Sequence, residues 1–87
     1  MLLDGAHALG QLPLDLPRLA PDYFVANCHK WLCAPRGSAC MWVHSQRRGS
    51  VRPLVLSHGS GAGFTSDFVW DGNRDYSAQL AVSAALR

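Results

Sequence analysis

The sequence predicts an α/β fold, in which short buried strands form part of a sheet and one helix closes the chain. Three apolar runs, at residues 2–3, 23–26 and 39–43, are each bounded by polar or turn-forming residues. Hydrophobic residues make up 48% of the 87 residues and charged residues only 16%, which is typical of a protein interior. Because the chain has one lysine and no glutamate, an ordinary solvated surface is lacking. We therefore expect it to be a fragment of a larger protein, cut at both edges.

The first half of the chain predicts two strands joined by an irregular segment. Leu2 and Leu3 run into Asp4 and Gly5, as at the end of a buried strand that leads into a turn. Residues 23–26 predict the second strand, which ends in polar residues. Between them, residues 9–22 disfavour a long helix because they contain four helix breakers. These are Gly10, Pro13, Pro17 and Pro21.

The second half predicts further strands and the closing helix. Residues 34–38 predict a turn from their Pro and Gly content, and residues 39–43 predict an apolar strand. Residues 53–57 predict one more short strand, and residues 58–63 a glycine-rich loop. From Asp75 onward the apolar spacing suits a helix with Asp75 as its N-cap. No repeat, low-complexity tract or linker indicates a second domain.

Composition excludes several classes of protein. No apolar run approaches the ~20 residues that cross a bilayer, and the opening residues lack the basic and apolar regions of a secretory signal. A net charge of +2 with scattered arginines does not indicate nucleic-acid binding. Three cysteines, an odd number, exclude a complete disulfide framework. We expect a cytoplasmic protein with reduced thiols and neither a membrane nor a nucleic-acid partner.

Chemistry-bearing side chains follow the first two predicted strands. Asp4 and His7 come after the first strand, and three more polar residues follow the second: Asn27, His29 and Lys30. Ligands of α/β proteins bind beyond the carboxyl ends of parallel strands, so we expect these side chains to lie together. They would offer an anion, an imidazole and an amine to one small aromatic ligand. The alternatives are a turn-capping role for Asp4 and an ordinary hydrogen-bonding role for His7.

Lys30 is the only lysine and lies between His29 and Trp31. Partly dry, aromatic surroundings disfavour the charged form of an amine. Lys30 is therefore a candidate amine nucleophile of the Schiff-base type. The alternative is an ordinary surface lysine, which the spacing alone favours.

Four segments together resemble the class V aminotransferase-like, pyridoxal-phosphate enzymes of fold type I. They are Asp-Gly-Ala-His-Ala at 4–8, Asn-Cys-His-Lys-Trp-Leu at 27–32, Pro-Arg-Gly-Ser at 35–38 and Trp-Asp-Gly-Asn-Arg-Asp at 70–75. The segments occur in the family's order and approximate spacing. The His-Lys-Trp-Leu motif at 29–32 and the Ser-His-Gly motif at 57–59 are most similar to the isopenicillin N epimerase-like branch of this family.

The resemblance implies a fold and an activity. Residues 1–87 would be an incomplete part of the large domain that binds pyridoxal 5'-phosphate, a mostly parallel sheet flanked by helices. The parent enzyme would act on a small amino-group substrate, by an epimerase-like or aminotransferase-like reaction, and its full-length chain would form a homodimer. The isolated fragment would be inactive.

The resemblance also implies a role for each matching residue. Lys30 would form the internal aldimine, and Asp4 would pair with the pyridinium nitrogen of the cofactor. His7 would lie near the cofactor's phenolic oxygen. His29 and Asn27 would help to hold its phosphate.

Two positions depart from the family's usual pattern. Asn27 stands where serine is common in related enzymes. Asn73 stands where threonine is usual, and the threonine hydroxyl is expected to reach the phosphate of the partner subunit. An amide can also donate to phosphate, so Asn73 stays among the candidate cofactor-binding residues.

Three other interpretations remain open at this point. A zinc module would use the four ligands Cys28, His29, Cys33 and Cys40, although no paired Cys-x-x-Cys is present. A phosphate binder would use the glycine-rich residues 58–63, which have no adjoining Lys-Ser or Lys-Thr, no clear strand before them and no helix directly after. The chain would otherwise be a catalytically inactive truncated fragment with a structural role.

Overall fold

The computed structural model describes residues 1–87 as two compact units, one of residues 1–44 with 75–87 and the other of residues 45–74. The first unit contains a three-stranded sheet. Its strands are β1 (Leu2–Asp4), β2 (Tyr23–Asn27) and β3 (Ala39–Val43). The predicted α/β class and the strands near 2–3, 23–26 and 39–43 are thus confirmed. The expectation that the strands are buried holds only for β2, where buried and half-buried residues alternate, because β1 and most of β3 are exposed.

The sheet is mixed, with β2 in the centre. β2 pairs parallel with β1 and antiparallel with β3. The expectation of a mostly parallel sheet is therefore not met by these three strands. The connection between β2 and β3, residues 28–38, is shorter than the dozen or more residues that a parallel crossover requires.

The core lies along β2. Phe24 is only 2% exposed, and Gly5 lies so close to it that a Cβ on Gly5 would collide with the Phe24 ring. The turn after β1 therefore requires a glycine at this position. The buried hydrophobic residues of the whole chain are Phe24, Ala26, Cys28, Ala34 and Val43.

The connection from β1 to β2 contains one short helix. Helix α1 (Leu16–Leu19) begins where the Asp15 carboxylate accepts a hydrogen bond from the Arg18 main-chain N–H at 3.0 Å. It ends at Ala20, whose φ of 48° is in the left-handed region. The prediction that residues 9–22 hold no long helix is confirmed.

The unit of residues 45–74 contains no strand. It has a 3-10 helix (Ser45–Ser50) and the single-turn helix α2 (Phe64–Asp67). The prediction of a strand at 53–57 is wrong, and Leu54 in that run is fully exposed. An apolar run becomes a strand only where a neighbour accepts and donates its main-chain hydrogen bonds, and this unit supplies none.

The predicted closing helix is present as two single turns, α3 (Ser77–Leu80) and α4 (Val82–Ala85). Asp75 does cap the first turn, because its carboxylate accepts from the Ser77 N–H at 2.8 Å, although the N-cap residue itself is Tyr76. The hydrogen bonds from Ser77 lower the pKa of Asp75 below its usual range. No helix of the structure has the length and hydrophobicity that crossing a membrane requires.

Candidate functional site

The parallel pairing of β1 with β2 brings the two strand ends to one edge of the sheet. Leu2 lies opposite Tyr23, and Asp4 lies opposite Val25. The chain therefore leaves both strands at the same edge, and both strands continue directly into turns. The polar residues that follow the two strands share this edge, as the sequence predicts.

A cavity of about 510 Å³ opens at this edge, within the size range of small-ligand sites. The polar residues that line it are Asp4, Asn27, Lys30 and Cys40. Asp4 is exposed, and one of its oxygens accepts from the Ala6 N–H at 3.0 Å. The carboxylate thus caps the turn, as the alternative interpretation expects, and Asp4 is among the residues that line the cavity.

The amine of Lys30 has an imidazole beside it. Lys30 Nζ lies 3.3 Å from His7 Nε2, and the indole Nε1 of Trp31 donates to His7 Nδ1 at 3.3 Å. The same three side chains line a second, mostly apolar cleft of about 320 Å³. Lys30 is half-buried, whereas His7 and Trp31 are exposed. The structure therefore joins an amine and an imidazole that come from different strand ends.

His29 faces away from this cluster. Its Nδ1 lies 3.0 Å from the carbonyl oxygen of buried Ser38 and donates to it, because a carbonyl only accepts. The Ser38 hydroxyl in turn donates to the Pro35 carbonyl at 2.7 Å, which anchors the turn before β3. His29 does not line the cavity that Asn27 and Lys30 line. Its phosphate-holding role stays a prediction.

Asn73 lies in the unit of residues 45–74 and is exposed. Beside it, Arg74 Nε forms an ion pair with Asp71 at 3.2 Å, and Gly72 has a φ of 119°. The expected partner of Asn73 is a phosphate in another subunit. That role stays a prediction as well.

Two of the three cysteines, Cys28 and Cys40, contact each other, and the three do not form a metal site. Cys40 contacts the buried Cys28, and burial, followed by this neighbour, raises the pKa of the Cys40 thiol. Cys40 is exposed as a whole residue, so the desolvation concerns its thiol beside Cys28. Cys33 bonds only to a main-chain carbonyl, and no three His, Cys, Asp or Glu side chains converge as metal ligands. The zinc interpretation therefore lacks an assembled ligand set.

The glycine-rich loop binds the chain's own groups. The Gly61 N–H donates to the Asp67 carboxylate at 2.7 Å, and the Gly59 N–H donates to the Ser57 hydroxyl at 3.0 Å. The expectation that no helix follows directly is wrong, since α2 begins at Phe64, but a single turn is a weak dipole. With Asp67 already facing the loop, a phosphate would meet a like charge there.

Sequence reasoning did not place two residues of this edge in the cofactor site; it treated Trp31 only as an aromatic neighbour of Lys30 and Cys40 only as a candidate zinc ligand. Trp31 holds His7, and Cys40 lines the cavity with Lys30. The adjacency of Trp31 to the only lysine was a usable signal. The placement of Cys40 depends on strand register, since it lies opposite Ala26 in the β2–β3 pair.

Comparison with known proteins finds enzymes. No family model matches the chain. The chain is 37% identical over 89 residues to an L-cysteine desulfhydrase of Arabidopsis thaliana and 30% identical over 95 residues to a hercynylcysteine sulfoxide lyase of Schizosaccharomyces pombe. It is 39% identical over 56 residues to an isopenicillin N epimerase of Streptomyces clavuligerus.

These alignments cover 99%, 99% and 64% of this chain, respectively. They cover only 19%, 24% and 14% of the three enzymes. The chain therefore spans about a fifth of the length of the curated relatives that it matches. An epimerase of the resembled branch is among the relatives, together with a desulfhydrase and a lyase.

Proposed function

We propose that this chain is part of an enzyme that uses pyridoxal 5'-phosphate to act on an amino-group substrate. The observation that carries the proposal is the shared cavity of Asp4 and Lys30, with His7 in hydrogen-bond reach of the lysine amine. The names of the relatives support it, because desulfhydrase, lyase and epimerase reactions on amino acids are chemistry of the class V pyridoxal-phosphate type that the motifs resemble. The homodimer of the full-length parent and the cytoplasmic location belong to the same proposal.

The side chains at the cavity fit the chemistry of this cofactor. Lys30 would hold the cofactor covalently through its amine, and Asp4 would keep the ring nitrogen protonated by facing it with a negative charge. Asn27 at the cavity wall would donate to the phosphate, and His29 and Asn73 are proposed to assist it. When bound, the cofactor supplies an electron sink for negative charge at the substrate Cα. Lys30 would be the amine that moves a proton at that carbon.

The relatives favour particular reaction classes. Two of the three names denote cleavage of sulfur-containing amino acids or their derivatives, and the third denotes epimerisation. Both kinds of reaction begin with proton removal at the Cα beside the amino group. We therefore propose lyase or epimerase chemistry on an amino acid, with a sulfur-containing amino acid as the first substrate to test. Transamination has no such support among these names.

The test uses the 87-residue chain and pyridoxal 5'-phosphate. The mixture is reduced with borohydride, and the labelled residue is located by peptide mapping. We expect the label at Lys30 and inhibition of labelling by inorganic phosphate. Lys30→Ala should lose the label, and Lys30→Arg should retain only non-covalent binding.

Matched controls distinguish labelling at a binding site for the cofactor from non-specific reaction of the aldehyde with exposed amines. Pyridoxal without its phosphate should label Lys30 more slowly, whereas the amino group of Met1 should react equally with both aldehydes. A label that favours Met1, or that ignores phosphate, would contradict the proposal and support an inactive fragment instead. In the full-length parent, Asp4→Asn should retain the label but lower turnover by at least ~10²-fold, about 2.7 kcal/mol of transition-state stabilisation. Near-normal turnover in Asp4→Asn would restrict Asp4 to its turn-capping role.

A further inference from the structure

The two turns that carry His7 and Lys30 meet main chain to main chain. The histidine turn, residues 5–12, follows β1, and the lysine turn, residues 28–34, follows β2. A Cβ on Gly10 would lie 3.0 Å from both the carbonyl carbon and the carbonyl oxygen of Trp31, and 3.3 Å from the nitrogen of Leu32. These three atoms belong to one peptide group. Gly10, in the histidine turn, therefore lies directly against the peptide group that joins Trp31 to Leu32 in the lysine turn.

Gly10 cannot carry a side chain without separating the two turns. Its φ of 84° lies in the left-handed region, where a residue with a Cβ is strained. Carbon atoms pack at about 3.5–4.0 Å, so a Cβ at 3.0 Å would be too close to the peptide group. The first effect concerns only the local main chain, whereas the second moves one turn away from the other.

The lysine turn is the more firmly held of the two. The Ala34 N–H donates to the Cys28 carbonyl at 3.1 Å, the Cys28 N–H donates to the Ser38 carbonyl at 3.0 Å, and all three residues are buried. The histidine turn, after its first residue, makes no main-chain hydrogen bond beyond itself, and Gly10 is exposed on its other side. A side chain at Gly10 would therefore displace the histidine turn, and with it the imidazole that this turn carries.

The side-chain contacts between the turns are a consequence of this packing rather than its cause. His7 Nε2 lies 3.3 Å from Lys30 Nζ, and His7 Nδ1 lies 3.3 Å from Trp31 Nε1. Both distances are at the long end of the hydrogen-bond range, and His7 and Trp31 are exposed, so these contacts contribute little in competition with water. The main-chain contact at Gly10 is what limits how closely the two turns approach.

We propose that Gly10 is a positioning residue, which sets the separation between the imidazole of His7 and the amine of Lys30. It acts by having no side chain, because the histidine turn can then approach until Gly10 touches the peptide group after Trp31. This placement does not depend on which of the two groups carries a proton. The use of the placement by the enzyme rests on the proposed function.

The test compares Gly10→Asn with Gly37→Asn in the 87-residue chain. Gly37 is the matched control because it lies in the same compact unit, has a similar φ of 90°, and a Cβ there would have no atom within 4 Å. Asparagine enters the left-handed region more readily than most residues with a Cβ, so both variants keep the main-chain strain small. They differ in the contact with the lysine turn. Gly10→Ala and Gly37→Ala repeat the comparison with the smallest side chain that has a Cβ.

The first readout is the set of nuclear Overhauser contacts in the chain without cofactor. In the unchanged chain we expect one contact between a Gly10 Hα and the Leu32 amide, and another between the Trp31 indole N–H and the His7 ring. In Gly10→Asn the second contact should be lost, whereas in Gly37→Asn it should be retained. Absence of the Gly10 contact in the unchanged chain overturns the proposal, and so does retention of the Trp31 contact in both Gly10 variants.

The second readout is the labelling of Lys30 by pyridoxal 5'-phosphate and borohydride, relative to the Met1 amino group. We expect this ratio to be about tenfold lower in Gly10→Asn, since a misplacement of about 1 Å can cost ~10²-fold and relief of the Gly10 contact requires a smaller shift. In Gly37→Asn the ratio should be unchanged. An equal ratio in the two variants would contradict a positioning role.

Two other outcomes concern the fold as a whole. Loss of the Trp31 contact to the same extent in the Gly10 and Gly37 variants would indicate general loosening, and would also contradict the proposal. So would unfolding of both Gly10 variants, seen by circular dichroism, while both Gly37 variants fold. Failure of the unchanged chain to be labelled at Lys30 would contradict the proposed function alone, because the contacts measured without cofactor decide the role of Gly10 independently.

Discussion

The two compact units of this chain differ in what holds them together. All the buried hydrophobic residues lie in the unit that contains the sheet, whereas Ser57 is the only buried residue of the unit 45–74. The second unit is held by ring contacts and polar bonds instead. His58 stacks on Trp70 at 4.4 Å between centroids, and the buried Ser57 hydroxyl donates to the Ser66 carbonyl.

A high content of apolar residues is therefore not enough for a segment to form part of a buried core. The exposed run of Leu54, Val55 and Leu56 is as hydrophobic as β2, yet it pairs with nothing. What distinguishes β2 is a strand on each side of it. In the candidate site, Asp4 and Asn27 lie on the last residues of paired strands, which hold side chains more firmly than loops do, whereas His7 and Lys30 lie in the turns that follow.

The largest test of this comparison removes one ring from each unit. Phe24→Ala should lower the free energy of unfolding by about 3–5 kcal/mol, because it empties the centre of the core. Phe68→Ala removes a ring that is 42% exposed and lies tilted against the Phe64 ring at 5.1 Å between centroids, so we expect a loss of less than about 1 kcal/mol. Urea denaturation followed by circular dichroism measures both. Equal losses would mean that the units do not differ as described.

A smaller test adds one methyl group to each unit. Gly5→Ala should destabilise the chain by about 1–3 kcal/mol, since the new Cβ collides with the Phe24 ring. Gly49→Ala, in the 3-10 helix, meets nothing within 4 Å and should change the stability by less than about 0.5 kcal/mol. The same urea experiment measures both variants. A tolerated Gly5→Ala would show that the core beside β1 yields easily.

The smallest expected effect concerns the edge of the sheet at high pH. The pKa of Cys40 is raised from its ordinary value of 9.0, mainly by burial and then by Cys28. A raised pKa in the folded state means that the thiol stabilises the fold fully below pH 9.0, and that this contribution is lost as the pH rises through the raised value.

The ultraviolet absorbance of the thiolate measures this titration, in a Cys33→Ser background that removes the third thiol. Cys28→Ala should lower the pKa of Cys40 only part of the way, because the larger cause, burial, remains. A return to the ordinary value would make Cys28 the main cause and would weaken the contrast between a desolvated sheet and a solvated second unit.

Much of this structure follows from local patterns in the sequence. Strands β1, β2 and β3 were predictable because each is an apolar run that ends at a turn-forming or polar residue. The strand at 53–57 was not, because pairing depends on a partner that the run itself does not encode. The closing helix was located correctly at Asp75, but its division at Ala81 was not visible in the apolar spacing.

The candidate site also has features that the sequence predicts and features that it does not. The positions of Asp4 and Lys30 at and after the ends of two strands predicted that they lie at one edge, because parallel neighbours end at a common edge, and both do line one cavity there. The bond from Trp31 to His7 and the turning of His29 toward Ser38 could not be predicted. Both depend on side-chain rotamers and on the register of distant segments.

The parallel pairing of β1 with β2 has a consequence for the order of events during folding. His7 and Lys30 are 23 residues apart along the chain and meet only after the strands have paired. Such non-local contacts form slowly, because the chain must close a long loop before any contact stabilises it. Until then Lys30 is an ordinary solvated lysine with no imidazole beside it. The pairing of this amine with an imidazole is therefore acquired with the tertiary structure and not with the local sequence.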